Sequence, residues 1–172
     1  MKIVVAISGA SGANLGLKLL KAIPDSNEKH LVATDHAKIV LDKEENIVLH
    51  KNNEIWASIA SGSFKVDVMF IVPCSMNTLA KISVGIADNL ITRAASVMIK
   101  EQKKLILAPR ELPFSPIALE NMLKLSRLGV VISPPILGYY AKSNSLEDVE
   151  NFIIGKWLDS ANIENNLYER WK

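Results

Sequence analysis

The 172-residue chain predicts an α/β fold, a doubly wound parallel sheet in a Rossmann-like, flavodoxin-like three-layer sandwich. Short apolar runs recur at five places, each rich in valine and isoleucine and apolar on both faces. That is the pattern of a strand buried between two helix layers. Helical stretches separate the runs, which makes right-handed βαβ crossovers the expected connection. No repeat and no Pro/Gly/Ser-rich linker divides the sequence, so residues 1–172 are expected to form one domain, with 160–172 a tail docking on the site or on a neighbouring subunit.

The first run, Ile3–Ile7, ends in Ser8-Gly9-Ala10-Ser11-Gly12-Ala13. Glycines let backbone approach an anion closely, and N–H groups at a helix start point at it. The loop is not GxGxxG and has no Walker lysine, so neither a dinucleotide nor a nucleoside triphosphate is the first expectation. The plainer reading is a tight turn with a serine N-cap. The second run, Leu31–Thr34, continues into Asp35-His36, where Thr34 or Asp35 suits a helix cap. The helix expected next carries Asp42, Glu44 and Glu45, a solvated face from which one carboxylate can reach a site as acid or base.

The third run, Val66–Val72, leads into Pro73-Cys74-Ser75-Met76-Asn77-Thr78. Hydroxyls, an amide and free N–H groups at a helix start suit a phosphate or the polar edge of a ring system. Cys74 has no adjacent base and reads as a small buried residue. Beyond Asp88, Leu90, Ala94, Val97 and Met98 form a helical stripe. Arg93 and Lys100, seven apart, share a face beside it.

The fourth run, Leu105–Ala108, gives Pro109-Arg110-Glu111-Leu112-Pro113. Arginine suits bidentate phosphate binding, and a partly buried glutamate has a raised pKa and can move protons. The alternative is a surface ion pair of little energetic weight. Ser115-Pro116 marks a capped helix start and Gly129 its end. The fifth run, Val130–Ile132, is followed by Ser133-Pro134-Pro135 and Gly138-Tyr139-Tyr140, tyrosines that can stack on a ligand, donate a hydroxyl or fill an interface. Ser145 with Asp148 resembles a capping box for a helix through Leu158. On it Lys156 falls within the apolar face, at i+4 from Phe152, and either snorkels outward or points into an anion site.

Bulk properties narrow the partners. A net charge of +2 gives little reason to expect nucleic acid or a membrane surface. A single cysteine fits a reducing cytoplasm, the N-terminal apolar stretch is too short for a signal core, and no run approaches the ~20 residues that span a bilayer. His30, His36 and His50 stand apart with no ligand cluster, so no metal site is expected. Phosphate binders, aromatics and one carboxylate at the strand ends suit a phosphorylated cofactor together with a phosphorylated substrate.

ISGASGA near the N-terminus, SGSF at Ser61–Phe64, PCSMNTLAKI, NLITRAASVMIKE, PRELPFS and LENMLKLSRLGV together resemble the flavin prenyltransferase family, also called UbiX-like. The resemblance runs through the chain to Glu169-Arg170-Trp171. It implies an FMN-binding Rossmann-type fold and transfer of dimethylallyl from dimethylallyl monophosphate to reduced FMN, at N5 and C6. It also implies no metal requirement, a homo-oligomer (commonly a dodecamer), and a product that serves UbiD-type decarboxylases. By position, Gly9, Ala10, Ser11, Thr34, Ser75, Met76, Asn77, Thr78 and Arg110 would hold FMN. Ser11 and Glu44 would form a proton relay, and Glu111 would be the acid/base of the closing steps. Arg93, Lys100, Tyr140 and Lys156 would surround the prenyl phosphate, drawn from more than one subunit. Thr34, Asp35-His36, Leu15 and Lys156 depart from the residues common in the family; Lys156 replaces a frequent arginine, keeping charge but losing the fork. The alternatives are an FMN-dependent cysteine-decarboxylase type, which needs an early catalytic histidine, and a non-catalytic FMN carrier.

Overall fold

The computed structural model describes residues 1–9, 11–33, 46–139 and 144–170. Six strands form one all-parallel sheet: β1 (Lys2–Ile7), β2 (Glu28–Ala33), β3 (Ile47–Lys51), β4 (Val68–Cys74), β5 (Lys104–Pro109) and β6 (Val131–Ile132). Their order is β3-β2-β1-β4-β5-β6. The direction of winding reverses between β1 and β4, and in such a sheet the crevice outside the carboxyl ends at that point is where a ligand sits.

The helices are α1 (Ala13–Ala22), α2 (Met76–Ser83), α3 (Leu90–Lys100), α4 (Pro116–Arg127) and α5 (Leu146–Ser160). Alternating strand residues divide them into two layers. Ile3, Val5, Phe70 and Ile106 pack against α1 and α5. Val4, Ala6, Met69 and Leu107 pack against α2, α3, α4 and two short 3-10 turns, Ser58–Ala60 and Gly62–Phe64.

The caps follow the local chemistry. Ser115 accepts the Ala118 N–H with Pro116 at the first helical position, and Gly129 follows α4 at φ 83°. Ser145 and Asp148 form a reciprocal capping box on α5, and Asn89 and Thr92 do so on α3. Among the described residues, no helix is long and apolar enough to cross a membrane.

Two features differ from the five expected runs. β3 is a sixth strand, and it sits at the sheet edge, where Val48 and Leu49 are exposed and only His50 is buried. An edge strand lacks the apolar signature of a doubly covered one. β2 begins three residues before its apolar run, at Glu28. Its charged front half is buried by pairing: Lys29, 3% exposed, donates to Asp25 at 2.6 Å and to the Ile23 carbonyl at 3.2 Å. The helix expected to carry Asp42, Glu44 and Glu45 lies outside the described residues, as do Ala10, Thr34 and Tyr140.

Residues 161–170 fold back on α5. Ile163 is buried in the α1/α5 core, with Leu167 and Tyr168 packed against it. Asp159 gathers this tail: its carboxylate accepts from Asn165 Nδ2 at 2.9 Å, Tyr168 OH at 2.5 Å and both terminal nitrogens of Arg170 at 2.9 and 2.7 Å. The Arg170 guanidinium, with the Tyr168 and Asn165 hydrogen bonds, pulls the Asp159 carboxyl down to about 2.

Candidate active site

The crevice between β1 and β4 is built from their two strand-end loops. Ser8, buried directly after β1, donates its hydroxyl to the Pro73 carbonyl at 3.1 Å and accepts the Ser75 N–H at 2.9 Å. The Ser8 N–H also reaches Pro73 O at 3.3 Å. One hydroxyl thus fixes the first loop to the start of α2. Sequence reasoning passed over Ser8, because its role depends on which strand lies beside β1.

The start of α1 is open. Gly12 is the N-cap residue, in the left-handed region at φ 102°, and no side chain caps the helix. The serine N-cap reading for Ser11 is therefore corrected: Ser11 lies exposed one residue ahead, and its hydroxyl does not close the helix. Gly9 is exposed, with open space where a Cβ would stand. Gly16 behaves differently. A Cβ there would fall 2.3 Å from the Val72 carbonyl oxygen and 2.8 Å from Ile7, so α1 lies directly on the strands. An uncapped helix start pressed down at the switch point presents its N–H groups and positive dipole end to the crevice.

The start of α2 faces the same crevice. Ser75 caps it by accepting the Thr78 N–H at 3.2 Å, and its hydroxyl donates to Thr78 Oγ1 at 3.0 Å. The Met76 and Asn77 N–H groups, earlier in that turn, have no acceptor within the helix. Cys74 is fully buried, and desolvation pushes its thiol up to about 12, which fits the packing role expected of it.

The third contribution comes from the end of β5. Arg110 N–H donates to the Cys74 carbonyl at 3.3 Å, and the Arg110 side chain reaches across to within 4.0 Å of where a Gly12 Cβ would be. The Arg110 side-chain stem, at its Cδ, therefore lies beside the first loop. Glu111 is exposed, and its carboxylate accepts the Leu112 N–H at 3.1 Å. Among the described candidates, Gly9, Ser11, Ser75, Met76, Asn77, Thr78, Arg110 and Glu111 thus share the strand ends.

The other cations stand on other elements. Arg93 and Lys100 lie exposed on α3, in the α2/α3/α4 layer. Lys100 ends its helix just before β5 begins, at the opposite edge of the sheet from the crevice, and pairs with Glu101 at 2.7 Å. The Glu101 side chain covers Gly62, in the Ser61–Phe64 turn. Lys156 stands in the other layer, on α5. It lines a cavity of about 250 Å³ with Ser133, Pro134, Leu137, Gly138 and Phe152. The cavity is mostly apolar with one ammonium, which suits a short hydrocarbon carrying an anionic head.

Among the described residues, His30 and His50 do not contribute to this crevice. His30 Nδ1 lies 3.0 Å from His50 Nε2, the rings stack at 5.3 Å, and His30 Nε2 lies 3.0 Å from Glu28. Both are buried. Among the described residues, no group of three or more His, Cys, Asp or Glu is placed to hold a metal.

A Flavoprotein family model matches residues 1–158. The chain is 47% identical to a Campylobacter jejuni protein named flavin prenyltransferase UbiX, over 100% of this chain and 99% of that one. Two solved structures align at a TM-score of 0.91. The dodecameric FMN-dependent UbiX-like decarboxylase from Escherichia coli O157:H7 is 40% identical, with 100% of both chains covered. AnUbiX (PadA1), solved in complex with FMN and dimethylallyl pyrophosphate, is 42% identical, with 99% of this chain and 97% of that one covered. The FMN-dependent cysteine decarboxylase TvaF, 18% identical with a TM-score of 0.66, shares the fold.

Proposed function

The chain belongs to the UbiX-like flavin prenyltransferase family, and from that premise we propose that it is a transferase. It moves the dimethylallyl group of dimethylallyl monophosphate onto reduced FMN, making the prenylated cofactor of UbiD-type decarboxylases. The observation that carries this reading is the crevice between β1 and β4. Two helix starts, with Ser75 and Thr78 hydroxyls and the Arg110 guanidinium, offer donors to a flavin and its phosphate. When bound, reduced FMN supplies the carbon and nitrogen nucleophiles, and the chain's own groups do the rest.

The C–O bond of the substrate breaks with its electron pair leaving on phosphate. Cations must take up that charge, because a monophosphate is a poor leaving group. Arg93, Lys100, Tyr140 and Lys156 are the groups assigned to it. Arg93 and Lys100 lie in one helix layer and Lys156 in the other. A single phosphate site using all three cations therefore draws on more than one copy of the chain, in a homo-oligomer of the dodecameric kind. The N5 proton would be given up as the first bond forms to the carbon that phosphate leaves; closing the ring would then need one proton delivered to the alkene and one taken from C6. Glu111 serves that step, and Ser11, whose hydroxyl is free of capping duty, serves the flavin side together with Glu44.

The cysteine-decarboxylase alternative needs a catalytic histidine. His50 is buried and bonded to His30, which leaves it a structural residue, and His36 lies outside the described residues. The carrier alternative gives no use to Lys156 in its apolar cavity. The deciding experiment is anaerobic incubation of the purified protein with reduced FMN and dimethylallyl monophosphate, followed by mass spectrometry of the flavin. The flavin is expected to gain the mass of one isoprene unit. Bound but unmodified FMN sinks the assignment.

A further inference from the structure

The C-terminal tail is joined to the Lys156 cavity by a stack of side chains. The Arg170 guanidinium lies 5.3 Å from the centre of the Tyr168 ring. The Tyr168 ring lies on the backbone of α5, where a Gly155 Cβ would stand 2.4 Å from it. Its hydroxyl donates to Asp159, which also holds Arg170 by two hydrogen bonds. The Tyr168 ring then meets Phe152 edge-on, centroids 5.2 Å apart. Phe152 also presses on Gly138, where a Cβ would fall 2.5 Å from its ring. Gly138 and Phe152 are both walls of the cavity that Lys156, itself exposed, also lines. A second tie holds the same loop: Trp157 Nε1–H donates to the Ser133 carbonyl at 2.9 Å.

Phe152 thus touches both the Tyr168 ring of the tail and the Gly138 backbone of the 133–139 loop, so a displacement of its ring is felt at that loop. Tyr168 in turn is fixed by three things at once: the Asp159 hydrogen bond, the Arg170 guanidinium over its face, and the bare Gly155 backbone beneath it. An edge-to-face pair fixed at one member passes that restraint to the other. Side chains elsewhere on the tail, such as Leu167, only add to the α1/α5 core.

We propose that Tyr168 is a positioning residue for the second substrate: through Phe152 it sets the loop of residues 133–139 against α5 and so fixes the cavity wall facing Lys156. The proposal rests on the reading that this cavity receives the prenyl phosphate. Tyr168 touches no substrate; it acts on the width of the cavity and on the distance between its apolar wall and the Lys156 ammonium. None of the hydrogen bonds given above for the described part of the flavin crevice involves Tyr168, so the two substrates respond differently to its loss.

The test compares Tyr168→Leu and Tyr168→Phe with the unmodified full-length protein. Three quantities are measured: KM for dimethylallyl monophosphate, the dissociation constant for FMN, and hydrogen exchange of residues 133–139. Tyr168→Leu is expected to raise KM about fivefold, the scale of a lost aromatic pair, with FMN affinity unchanged and exchange in the loop faster. Tyr168→Phe keeps the ring and is expected to restore most of the KM. An unchanged KM overturns the proposal. So does a rise in KM accompanied by an equal loss of FMN affinity, since that marks a general structural role. If Tyr168→Leu does not fold, Gly138→Ala approaches the same pair from the other side, and an unaltered KM there is equally fatal. If the unmodified protein transfers no prenyl group, the activity reading fails by itself. The stack is then judged by calorimetric binding of inorganic phosphate, which Tyr168→Leu must weaken relative to the unmodified protein; equal binding overturns it.

Discussion

Ser75 hangs on Ser8: the Ser75 N–H donates to the Ser8 hydroxyl at 2.9 Å, and that hydroxyl in turn donates to the Pro73 carbonyl at 3.1 Å. One side chain therefore satisfies a donor and an acceptor of the neighbouring strand end. Ser8→Ala leaves both without that partner in a buried place. The expected loss is about 1–3 kcal/mol, read as a lower urea midpoint, together with weaker FMN binding, because the start of α2 loses its anchor.

Two glycines in the first loop and helix are expected to separate stability from binding. Gly16→Ala places a methyl 2.3 Å from the Val72 carbonyl, against backbone that cannot turn aside. Overpacking of this kind costs about 1–3 kcal/mol, and a lower thermal midpoint should show it. Gly9→Ala meets open space. Its midpoint should stay within about 0.5 kcal/mol of the unmodified protein, while FMN titration shows reduced affinity if backbone approach to the phosphate occurs there.

Ser11→Ala and Glu111→Gln test the chemistry. Since α1 is not capped by Ser11, its removal should leave the helix intact, and FMN titration alongside separates a holding role from the relay. Prenyl transfer should slow by roughly a hundredfold in each variant, the usual scale of a lost acid/base group. Full transfer by Glu111→Gln, together with full transfer by Lys156→Ala, contradicts the assigned roles.

The His30–His50 pair predicts a pH effect on stability that is independent of catalysis. Burial first, and the adjacent His30 second, hold His50 below its ordinary value of 6.5, with Glu54 opposing them. A histidine whose folded pKa is depressed favours the fold when neutral. Stability from this source is therefore full above pH 6.5 and declines as pH falls below it. Thermal midpoints taken across that range should fall for the unmodified protein and fall less for His50→Gln.

Local chemistry made much of this legible from sequence. Ser115-Pro116, Gly129 and Ser145-Asp148 act through neighbours three or four residues away, and each cap stands where the sequence put it. The strand-end loops at Ser8, Pro73 and Pro109 are also local, because a parallel sheet sends every carboxyl end to one edge. What escaped depends on tertiary pairing. β3 is an edge strand without a doubly apolar run, and the front of β2 hides Lys29 and His30 behind partners distant in sequence or polar in type. Ser8 and Gly16 look like any loop serine and helical glycine until β4 is known to lie alongside them. The N-cap of α1 was misassigned by one residue, since Gly12 takes a backbone conformation that serine rarely adopts.

The division of cations between the two helix layers bears on genetics as well as chemistry. If Arg93 of one copy and Lys156 of another serve the same phosphate, neither variant alone forms a working site. Co-assembled, some interfaces pair an Arg93→Ala copy with a Lys156→Ala copy so that both losses fall on one side and the opposite interface is intact. In a random equal mixture about a quarter of the sites should then be whole. Two individually inactive alleles would complement each other, and separately purified variants would recover turnover once dissociated and reassembled together.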